Sequence, residues 1–423
     1  MNELRLFRKH NFSFTKRGNS VQLEQRIAQY KAIEAYRKRP LIVYATSTRA
    51  GLNAMMAGDV VREFIDQIDL ITSGTEVDVL INSTGGDALT AWKLMSLLRE
   101  RFKKVCVLVP FMAFSAATIF ALGADEIVMH PHASLGPIDP QIQMQDGAGT
   151  VRQFAYEDVG AFLRFIADEV RITEQLHTSA IMERLFAVVD PLNVGAAKRA
   201  SDLSTDIGER LLSMHMSRPE DKGRVRTIAE NLNKSFFAHS DAVTRGRAKT
   251  LQLQVAEPDP KLEKLIWNAY CGLEGHMLLR EPFFPLLDYL KDPLGRAAIE
   301  PAAPLQLPVN LPPQIQQQIM QQAVNNAIQA SAGKAHQTDF SYVFAVCESI
   351  RAASASVSKG KMSAWLMPNG EVKLNMIEDQ KGWQRLTMPP ASTKKAAEDS
   401  EKPAKTEIET KEPQIKADET KVT

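Results

Sequence analysis

The segment between residues 80 and 141 constrains the fold of this chain more than any other. An apolar strand ends at Asn82 and is followed closely by a glycine pair, Gly85 and Gly86. A second apolar strand, residues 105–110, leads to Ser115, where an apolar helix opens. Glycines permit backbone conformations and close approaches that side chains forbid. This pattern therefore predicts a glycine turn that faces the start of a helix.

A serine opposite a glycine turn has the geometry required for acyl transfer. When a serine oxygen attacks a carbonyl, negative charge develops on the carbonyl oxygen, and backbone N–H groups aimed at that point stabilise it. We expect Ser115 to be the nucleophile. Gly85 or Gly86 would supply one N–H donor of this oxyanion hole, and Ala116 would supply the other. The positive end of the helix dipole would add to the stabilisation.

Strands and helices alternate around this turn. The pattern predicts strands at 41–45, 77–81 and 105–110, with helices at about 57–69 and 88–102 between them. Such alternation is typical of parallel strands joined by crossover helices. The strands are continuous runs of Val, Ile and Leu, which indicates a sheet covered on both faces.

Four motifs in this order resemble the serine dehydrogenase proteinase family: Asn82-Ser83-Thr84-Gly85-Gly86-Asp87, Ser115-Ala116-Ala117-Thr118, residues 122–129, and residues 135–141. This family is related to signal peptide peptidase A and, more distantly, to the caseinolytic (Clp) protease. The resemblance covers roughly residues 40–275. It implies an α/β, crotonase-like (Clp protease-like) spiral of ββα units with helical additions. It also implies a serine endopeptidase that binds a peptide or protein substrate as an extended strand, and a homo-oligomer.

The chemistry requires a base, because a serine hydroxyl is a weak nucleophile until a neighbour takes its proton. Signal peptide peptidases use a lysine, and the first lysine after Ser115 is Lys198, on a polar helix. Clp proteases use Ser-His-Asp, but their histidine position falls here at Ile138 or Asp139, and their aspartate position falls near His239. A triad is defined by geometry rather than chain order. We therefore predict His239 as the base and Asp139 as the group that orients it, with Lys198 or no base as alternatives.

Three classes of function follow from these residues. The first is a serine peptidase that hydrolyses peptide bonds through an acyl-enzyme on Ser115. The second is a catalytically inactive Clp-like scaffold or adaptor that keeps the glycine turn and lacks a competent base. The third is a crotonase-type acyl-CoA enzyme, against which stands the absence of any visible nucleotide-binding motif.

Composition excludes several other classes. Lys and Arg total 51 against 50 for Asp and Glu, so the net charge is close to zero. The chain as a whole therefore has no electrostatic attraction for nucleic acid. The three cysteines are few and widely spaced, which indicates neither a disulfide framework nor a zinc site. We predict no metal and no cofactor.

Residues 1–39 form a locally basic arm. Apolar residues recur at helical spacing from 21 to 37 and define one face, at Leu23, Ile27, Tyr30, Ile33 and Tyr36. We expect this helix to pack on its own domain or on a neighbouring subunit, with weak contact to an anionic membrane as the alternative. The sequence shows no signal peptide and no transmembrane segment, so we expect a cytoplasmic protein.

The remaining chain divides by composition. Residues 40–275 form the predicted Clp/crotonase-like peptidase domain, and residues 276–335 form an extended Pro-rich connector and a Gln-rich helix near 313–332. Residues 336–388 are predicted to be a small module with a hairpin at Asn369-Gly370. Residues 389–423 are predicted to be a disordered charged tail.

Overall fold

The computed structural model describes residues 16–145, 151–234, 236, 238–299, 312–332, 336–367 and 371–389. The tail predicted to be disordered lies, apart from Pro389, outside the described residues. The helices are α1 Lys16–Arg37, α2 Val61–Asp69, α3 Ala88–Arg101, α4 Ala116–Leu122, α5 Tyr156–Arg164, α6 Gln175–Phe186, α7 Pro191–Ser213, α8 Asp221–Lys234, α9 Arg245–Thr250, α10 Pro260–Met277, α11 Pro285–Leu290, α12 Pro293–Ala298 and α13 Pro313–Ala332. A 3-10 turn, Gly58–Val60, precedes α2, and a π-helical turn, Phe165–Glu169, follows α5.

The strands are β1 Leu41–Thr46, β2 Thr48–Arg49, β3 Leu52–Asn53, β4 Glu76–Asn82, β5 Lys104–Val109, β6 Met112–Ala113, β7 Glu126–Met129, β8 Ser134–Leu135, β9 Gln141–Gln145, β10 Val151–Ala155, β11 Val243–Thr244, β12 Val255–Ala256, β13 Gln337–Glu348, β14 Ala353–Leu366 and β15 Val372–Arg385. Eight of them form one sheet in the order β12-β7-β5-β4-β1-β13-β14-β15. The first five are parallel, and the last three are antiparallel. The predicted α/β class is confirmed.

Both faces of the parallel part of the sheet are buried, as predicted. Alternate residues of a strand point to opposite faces. In β1, Ile42 and Tyr44 therefore face a core with α2, α3 and α4, while Leu41 and Val43 face a second core with α1 and α10. All four side chains are at most 1% exposed. Burying such side chains contributes about 1.5–3 kcal/mol each, and this burial fixes the order of the layers.

The N-terminal helix packs on its own domain. In α1, Leu23, Ile27, Tyr30 and Ile33 are buried against the second core. Arg26 lies on the same face, where it forms a buried ion pair with Glu348 of β13. Residues 1–15 of the predicted arm lie outside the described residues.

The C-terminal strands extend the main sheet and do not form a sheet of their own. Strand β13 pairs antiparallel with β1, in a register that places Tyr44 opposite Cys347. An unpaired strand edge exposes backbone donors and acceptors, and β13 satisfies those of β1. Strands β14 and β15 pair as an antiparallel hairpin, as predicted, although Asn369-Gly370 lies outside the described residues.

The Pro-rich connector is not extended over its first half, contrary to the prediction. Pro285 and Pro293 each occupy the first turn of a short helix, α11 and α12. Proline suits this position because its missing N–H would have no intrahelical partner there. The Gln-rich helix α13 matches its predicted bounds.

Candidate active site

Ser115 occupies a sharp turn between β6 and α4. Its backbone angles are φ 52° and ψ −119°, in a region that non-glycine residues rarely adopt. The turn is held on both sides, because the Phe114 amide donates to the Ser83 carbonyl at 3.0 Å and the Ala117 amide donates to the Phe114 carbonyl at 2.9 Å. The side chain is half-buried, and no residue of the described chain hydrogen-bonds its hydroxyl. The serine is therefore presented from a rigid turn with its hydroxyl unoccupied.

The glycine pair lies directly against this turn, as predicted. Gly85 and Gly86 have φ values of 105° and 146°. A Cβ on Gly85 would lie 2.5 Å from the Phe114 carbonyl oxygen and 2.6 Å from the Ser115 Cβ, and one on Gly86 would lie 2.2 Å from the Met56 oxygen. Only glycine fits at either position, since both the conformation and the space exclude a side chain.

Hydrogen bonds hold the glycine turn from behind. The Gly85 amide donates to the Ser83 hydroxyl at 3.1 Å, and Thr46 shares a 2.8 Å hydrogen bond with the same hydroxyl. Met56 donates to the Gly85 carbonyl, and Asp87 donates to the Met56 carbonyl. Both hydroxyl side chains are fully buried. Ser83 thus holds the glycine turn together with Thr46, which sequence reasoning missed because Thr46 lies on another strand.

The three predicted N–H donors differ in availability. The Gly85 amide is engaged by Ser83, so it is directed away from the site. Within the part of the chain that the structure describes, the amides of Gly86 and Ala116 have no acceptor. Ala116 is also the first residue of α4, where the helix dipole is positive. Gly86 and Ala116 are therefore the pair of donors free to bind an anionic oxygen.

His239 and Asp139 are hydrogen-bonded to each other. The His239 Nδ1 lies 2.8 Å from the Asp139 Oδ1, and the Asp139 Oδ2 accepts a 2.8 Å hydrogen bond from the Gln141 side chain. Since an ionised carboxylate only accepts, Nδ1 carries the proton and Nε2 keeps its lone pair. Nε2 has no partner in the described chain. The imidazole is 33% exposed and the carboxylate 14%, so the pair lies near the surface rather than in the core.

A small three-stranded sheet brings the serine and this pair to one edge. Strands β6 and β8 are parallel, and β11 is antiparallel to β8, so the carboxyl ends of β6 and β8 meet the amino end of β11. Ser115 follows β6, Asp139 follows β8, and His239 precedes β11. The topology therefore brings these three residues to one edge of the sheet, although Ser115 and His239 lie more than 100 positions apart in the sequence.

Lys198 has the properties of a surface residue. It lies on α7, 45% exposed, in an ion pair with Asp202 and with its Nζ 5.3 Å from the centre of the Tyr156 ring. The hydrogen bond to Asp202 raises the pKa of Lys198. A lysine base needs a lowered pKa, so this environment favours the charged form, which cannot accept a proton.

The structure also contains an aromatic cluster that the sequence did not predict. His130 stacks on Trp267 with ring centres 5.0 Å apart, and Phe111, His132 and Tyr270 complete the cluster. His130 is only 6% exposed, and burial followed by the neighbouring His132 lowers its pKa. A neutral, stacked imidazole is a packing residue. No group of residues in the described ranges has the arrangement of a metal site.

An open cavity of about 530 Å³ lies away from Ser115. It is lined by the end of α1 and by the loop before β4, including Lys31, Lys38 and Gly74. Gly85 and Gly86 follow the opposite end of β4. At about 3.3 Å per residue the two ends of this seven-residue strand are roughly 20 Å apart. The cavity is therefore separate from the candidate active site.

In the described ranges, no helix has the length and apolar character needed to cross a membrane. Residues 55–210 match the model of the family described as ClpP-like SDH-type serine proteinases. Two uncharacterized proteins of Methanocaldococcus jannaschii are similar. MJ1495 is 32% identical over 121 residues, 29% of this chain and 40% of that protein, and MJ0137 is 36% identical over 85 residues, 20% of this chain and 29% of that protein. The chain thus spans less than half the length of these relatives.

Solved structures show a more distant likeness. A mutant of the 1510-N membrane-bound stomatin-specific protease is 15% identical, with a TM-score of 0.32, and the match covers 50% of this chain and 79% of that one. ClpP1 from Listeria monocytogenes is 14% identical, with a TM-score of 0.30, over 56% of this chain and 99% of that one. The family match confirms the resemblance seen in the four motifs: residues 55–210 of this chain are similar to the ClpP-like SDH-type serine proteinases.

Proposed function

We propose that this protein is a serine endopeptidase that hydrolyses peptide bonds through an acyl-enzyme on Ser115. The observation that carries the proposal is the contact between the Ser115 turn and the Gly85-Gly86 turn, which leaves the Ser115 hydroxyl and two backbone amides unoccupied together. This arrangement would supply a nucleophile and an oxyanion hole.

The reaction would proceed in two halves. In the first, the Ser115 Oγ attacks the substrate carbonyl carbon, and His239 Nε2 takes the hydroxyl proton. The amides of Gly86 and Ala116 bind the resulting oxyanion. Collapse of this adduct breaks the C–N bond, and His239 returns the proton to the leaving amine. In the second half, water repeats the attack on the acyl-enzyme with His239 again as base, which releases the acid and restores Ser115.

Asp139 would orient the base. Its Oδ1 holds the His239 Nδ1 proton, which fixes the tautomer with Nε2 free, and it stabilises the imidazolium that forms during attack. Gln141 holds the other carboxylate oxygen. In the structure His239 Nε2 does not hydrogen-bond Ser115, and such catalytic hydrogen bonds often form only in the substrate complex.

The substrate would bind as an extended strand beside Gly86. One side of this backbone is already paired, through Met56 and the Asp87 amide. The opposite side faces Ser115 and carries the unoccupied Gly86 amide. A peptide strand that pairs there would place its carbonyl between Ser115 and the two donors.

A fluorophosphonate probe tests the proposal, since it reacts covalently with activated serines. The wild-type protein should be labelled, and Ser115→Ala should not. His239→Ala should lower the labelling rate by at least 100-fold, and Asp139→Asn should also lower it. Ser134→Ala is the matched control, because Ser134 lies on the neighbouring strand β8 and should be dispensable. Lys198→Met should react at the wild-type rate.

One observation favours a second function, an inactive scaffold of the same fold. The Ser115 hydroxyl has no base within hydrogen-bond distance in the described chain. If no serine is labelled while the protein is folded, the scaffold is the better description. If labelling survives His239→Ala, Ser115 remains the nucleophile and the base is another group.

A further inference from the structure

The hydroxyl of Thr118 joins the two halves of the candidate site. Thr118 lies in the first turn of α4 and is fully buried. Its Oγ1 lies 2.6 Å from the Ala113 carbonyl oxygen, 2.9 Å from the Gly136 carbonyl oxygen and 3.0 Å from the Gly136 amide nitrogen. A hydroxyl has one proton and two lone pairs. It therefore accepts from the Gly136 amide and donates to one carbonyl, of which Ala113 is the nearer.

The two residues that Thr118 connects lead to different catalytic groups. Ala113 is the last residue of β6, two positions before Ser115. Gly136 follows β8 and stands three positions before Asp139. The Gly136 Cα also packs on Phe114, since a Cβ there would lie 3.0 Å from the ring. The distance between the nucleophile turn and the Asp139 loop thus depends on this contact.

The same loop is held at its other end by helices α7 and α8. The Ser204 hydroxyl donates to the Ile138 carbonyl, and the Ile138 amide donates to the Leu232 carbonyl at 2.9 Å. Ser204 is 3% exposed. Residues 136–138 are therefore fixed from two directions, by α4 through Thr118 and by α7 through Ser204.

We propose that Thr118 is a positioning residue, which sets the spacing between Ser115 and the His239–Asp139 pair. It touches neither substrate nor the reacting atoms. Ser204 acts on the same loop in a secondary role. This inference rests on the proposed function of Ser115. Its physical basis is that a displacement of about 1 Å between catalytic groups costs up to about 100-fold in rate.

The test measures labelling by the fluorophosphonate probe, separated into the probe's apparent affinity and the first-order rate of bond formation. Thr118→Val keeps the shape of the side chain and removes the hydroxyl. We expect the first-order rate to fall by about 10- to 100-fold with apparent affinity unchanged. Thr118→Ser restores the hydroxyl and should react within about threefold of wild type. Ser204→Ala should lower the same rate by a smaller factor.

Ser201→Ala is the matched control. Ser201 lies on α7 one turn before Ser204, is equally buried, and hydrogen-bonds Asn233 rather than the loop. Its variant should lose stability comparable to that of Ser204→Ala and keep the wild-type labelling rate. Thermal melts define the folded fraction of each variant, and rates are compared per folded molecule.

Three results would overturn the positioning role. They are a folded Thr118→Val that reacts at the wild-type rate, a Thr118→Ser that reacts no faster than Thr118→Val, and a labelling rate that falls as much in Ser201→Ala as in Ser204→Ala. If Thr118→Val does not fold, the comparison of Ser204→Ala with Ser201→Ala decides alone. Absence of label on the wild-type protein is a different failure, because it removes the proposed function and the positioning role with it.

Discussion

At the scale of single residues, the candidate site depends on positions where only one residue type fits. Gly85 packs against Ser115 so closely that a methyl group would overlap both the Phe114 carbonyl and the serine Cβ. Its φ of 105° is also strained for any other residue. The glycine therefore serves the site through its missing side chain, while its amide is used to hold the turn through Ser83.

Gly85→Ala should displace the nucleophile. We expect labelling of Ser115 to fall by at least about 100-fold, comparable to the loss of an oxyanion-hole donor. The control is Gly74→Ala, whose φ is 95° but whose Cβ would meet nothing within 4 Å. That variant should lose about 1 kcal/mol of stability from backbone strain and keep wild-type labelling. Equal labelling in the two variants would show that the close contact at Gly85 is irrelevant to reactivity.

Gln252 illustrates a residue that does not suit its conformation. Gln252 follows α9 with a φ of 64°. The left-handed conformation costs a non-glycine residue about 1 kcal/mol or more. Gln252→Gly should therefore raise the free energy of unfolding by up to about 1 kcal/mol, measured by urea denaturation. Lys249→Gly, within α9, should lower it by a similar amount, and a loss in both variants would contradict the strain at Gln252.

The sequence predicted contacts between residues of the candidate site and missed the hydroxyl groups that link strands and loops. Ser115, the glycine pair and the His239–Asp139 contact could be predicted because motif order restricts which residue types stand at those positions. Thr46 and Thr118 were missed, since a buried threonine in an apolar segment has no distinctive local pattern. Only the pairing of strands and loops shows which hydroxyl meets which amide.

At the scale of elements, α1 is anchored by a buried ion pair with β13. The Arg26 guanidinium donates to both oxygens of Glu348, at 2.7 and 3.0 Å, and the Tyr30 hydroxyl donates to the same carboxylate at 2.7 Å. The two charged side chains are 1% and 0% exposed. Periodicity predicted the apolar face of this helix. It did not predict the ion pair, because an arginine on an apolar face has no visible partner 322 residues away.

Glu348→Gln should destabilise the protein strongly, because it leaves the Arg26 charge buried without a counter-charge. We expect a loss of about 3–5 kcal/mol in the free energy of unfolding. The control is Glu230→Gln, which breaks the exposed pair of Glu230 with Arg226 on α8 and should cost less than about 0.5 kcal/mol. Urea midpoints measure both. A similar small loss in both variants would mean that the Arg26 charge reaches water in the folded protein.

At the scale of the whole molecule, the glycine turn of the site and the second core lie on one continuous sheet. Strand β4 ends in the glycine turn, its neighbour β1 carries Thr46 toward that turn, and β13 covers the free edge of β1. Helices α1 and α10 cover the back of these strands. Stability of this face therefore supports the geometry of the candidate site.

This face also makes the folded state sensitive to acid. His276 on α10 donates from Nδ1 to Gln22, and its buried Nε2 has no partner in the described chain. Burial and then the charge of Arg26 lower the pKa of His276 to about 4, from an unfolded value near 6.5, against the opposing influence of Glu348. The unfolded chain therefore binds a proton between pH 6.5 and 4 that the folded chain does not. The stability that neutral His276 contributes above pH 6.5 is therefore lost as the pH falls from 6.5 to 4.

Glu348 extends the same trend. Burial alone would raise its pKa, but the charge and hydrogen bonds of Arg26, followed by the charge of His276 and the hydrogen bond of Tyr30, outweigh burial and leave the pKa lowered. The contribution of ionised Glu348 to the free energy of unfolding is present above about pH 4.5 and is lost as the pH falls further. The free energy of unfolding should thus decrease from pH 6.5 downward, by up to about 1.4 kcal/mol per pH unit for the His276 proton.

Urea denaturation from pH 8 to pH 4 measures this decrease. His276→Gln cannot take up the proton, so its curve should fall less steeply than that of the wild type between pH 6.5 and about 4.5. The remaining slope comes from His130 and His215, because burial lowers the pKa of each. His177→Gln is the control, because His177 is 62% exposed on α6 and should keep the wild-type curve. A wild-type protein whose stability does not change between pH 6.5 and 4.5 would show that His276 is protonated in the folded state. The second core would then tolerate a charge that its burial and the neighbouring Arg26 oppose.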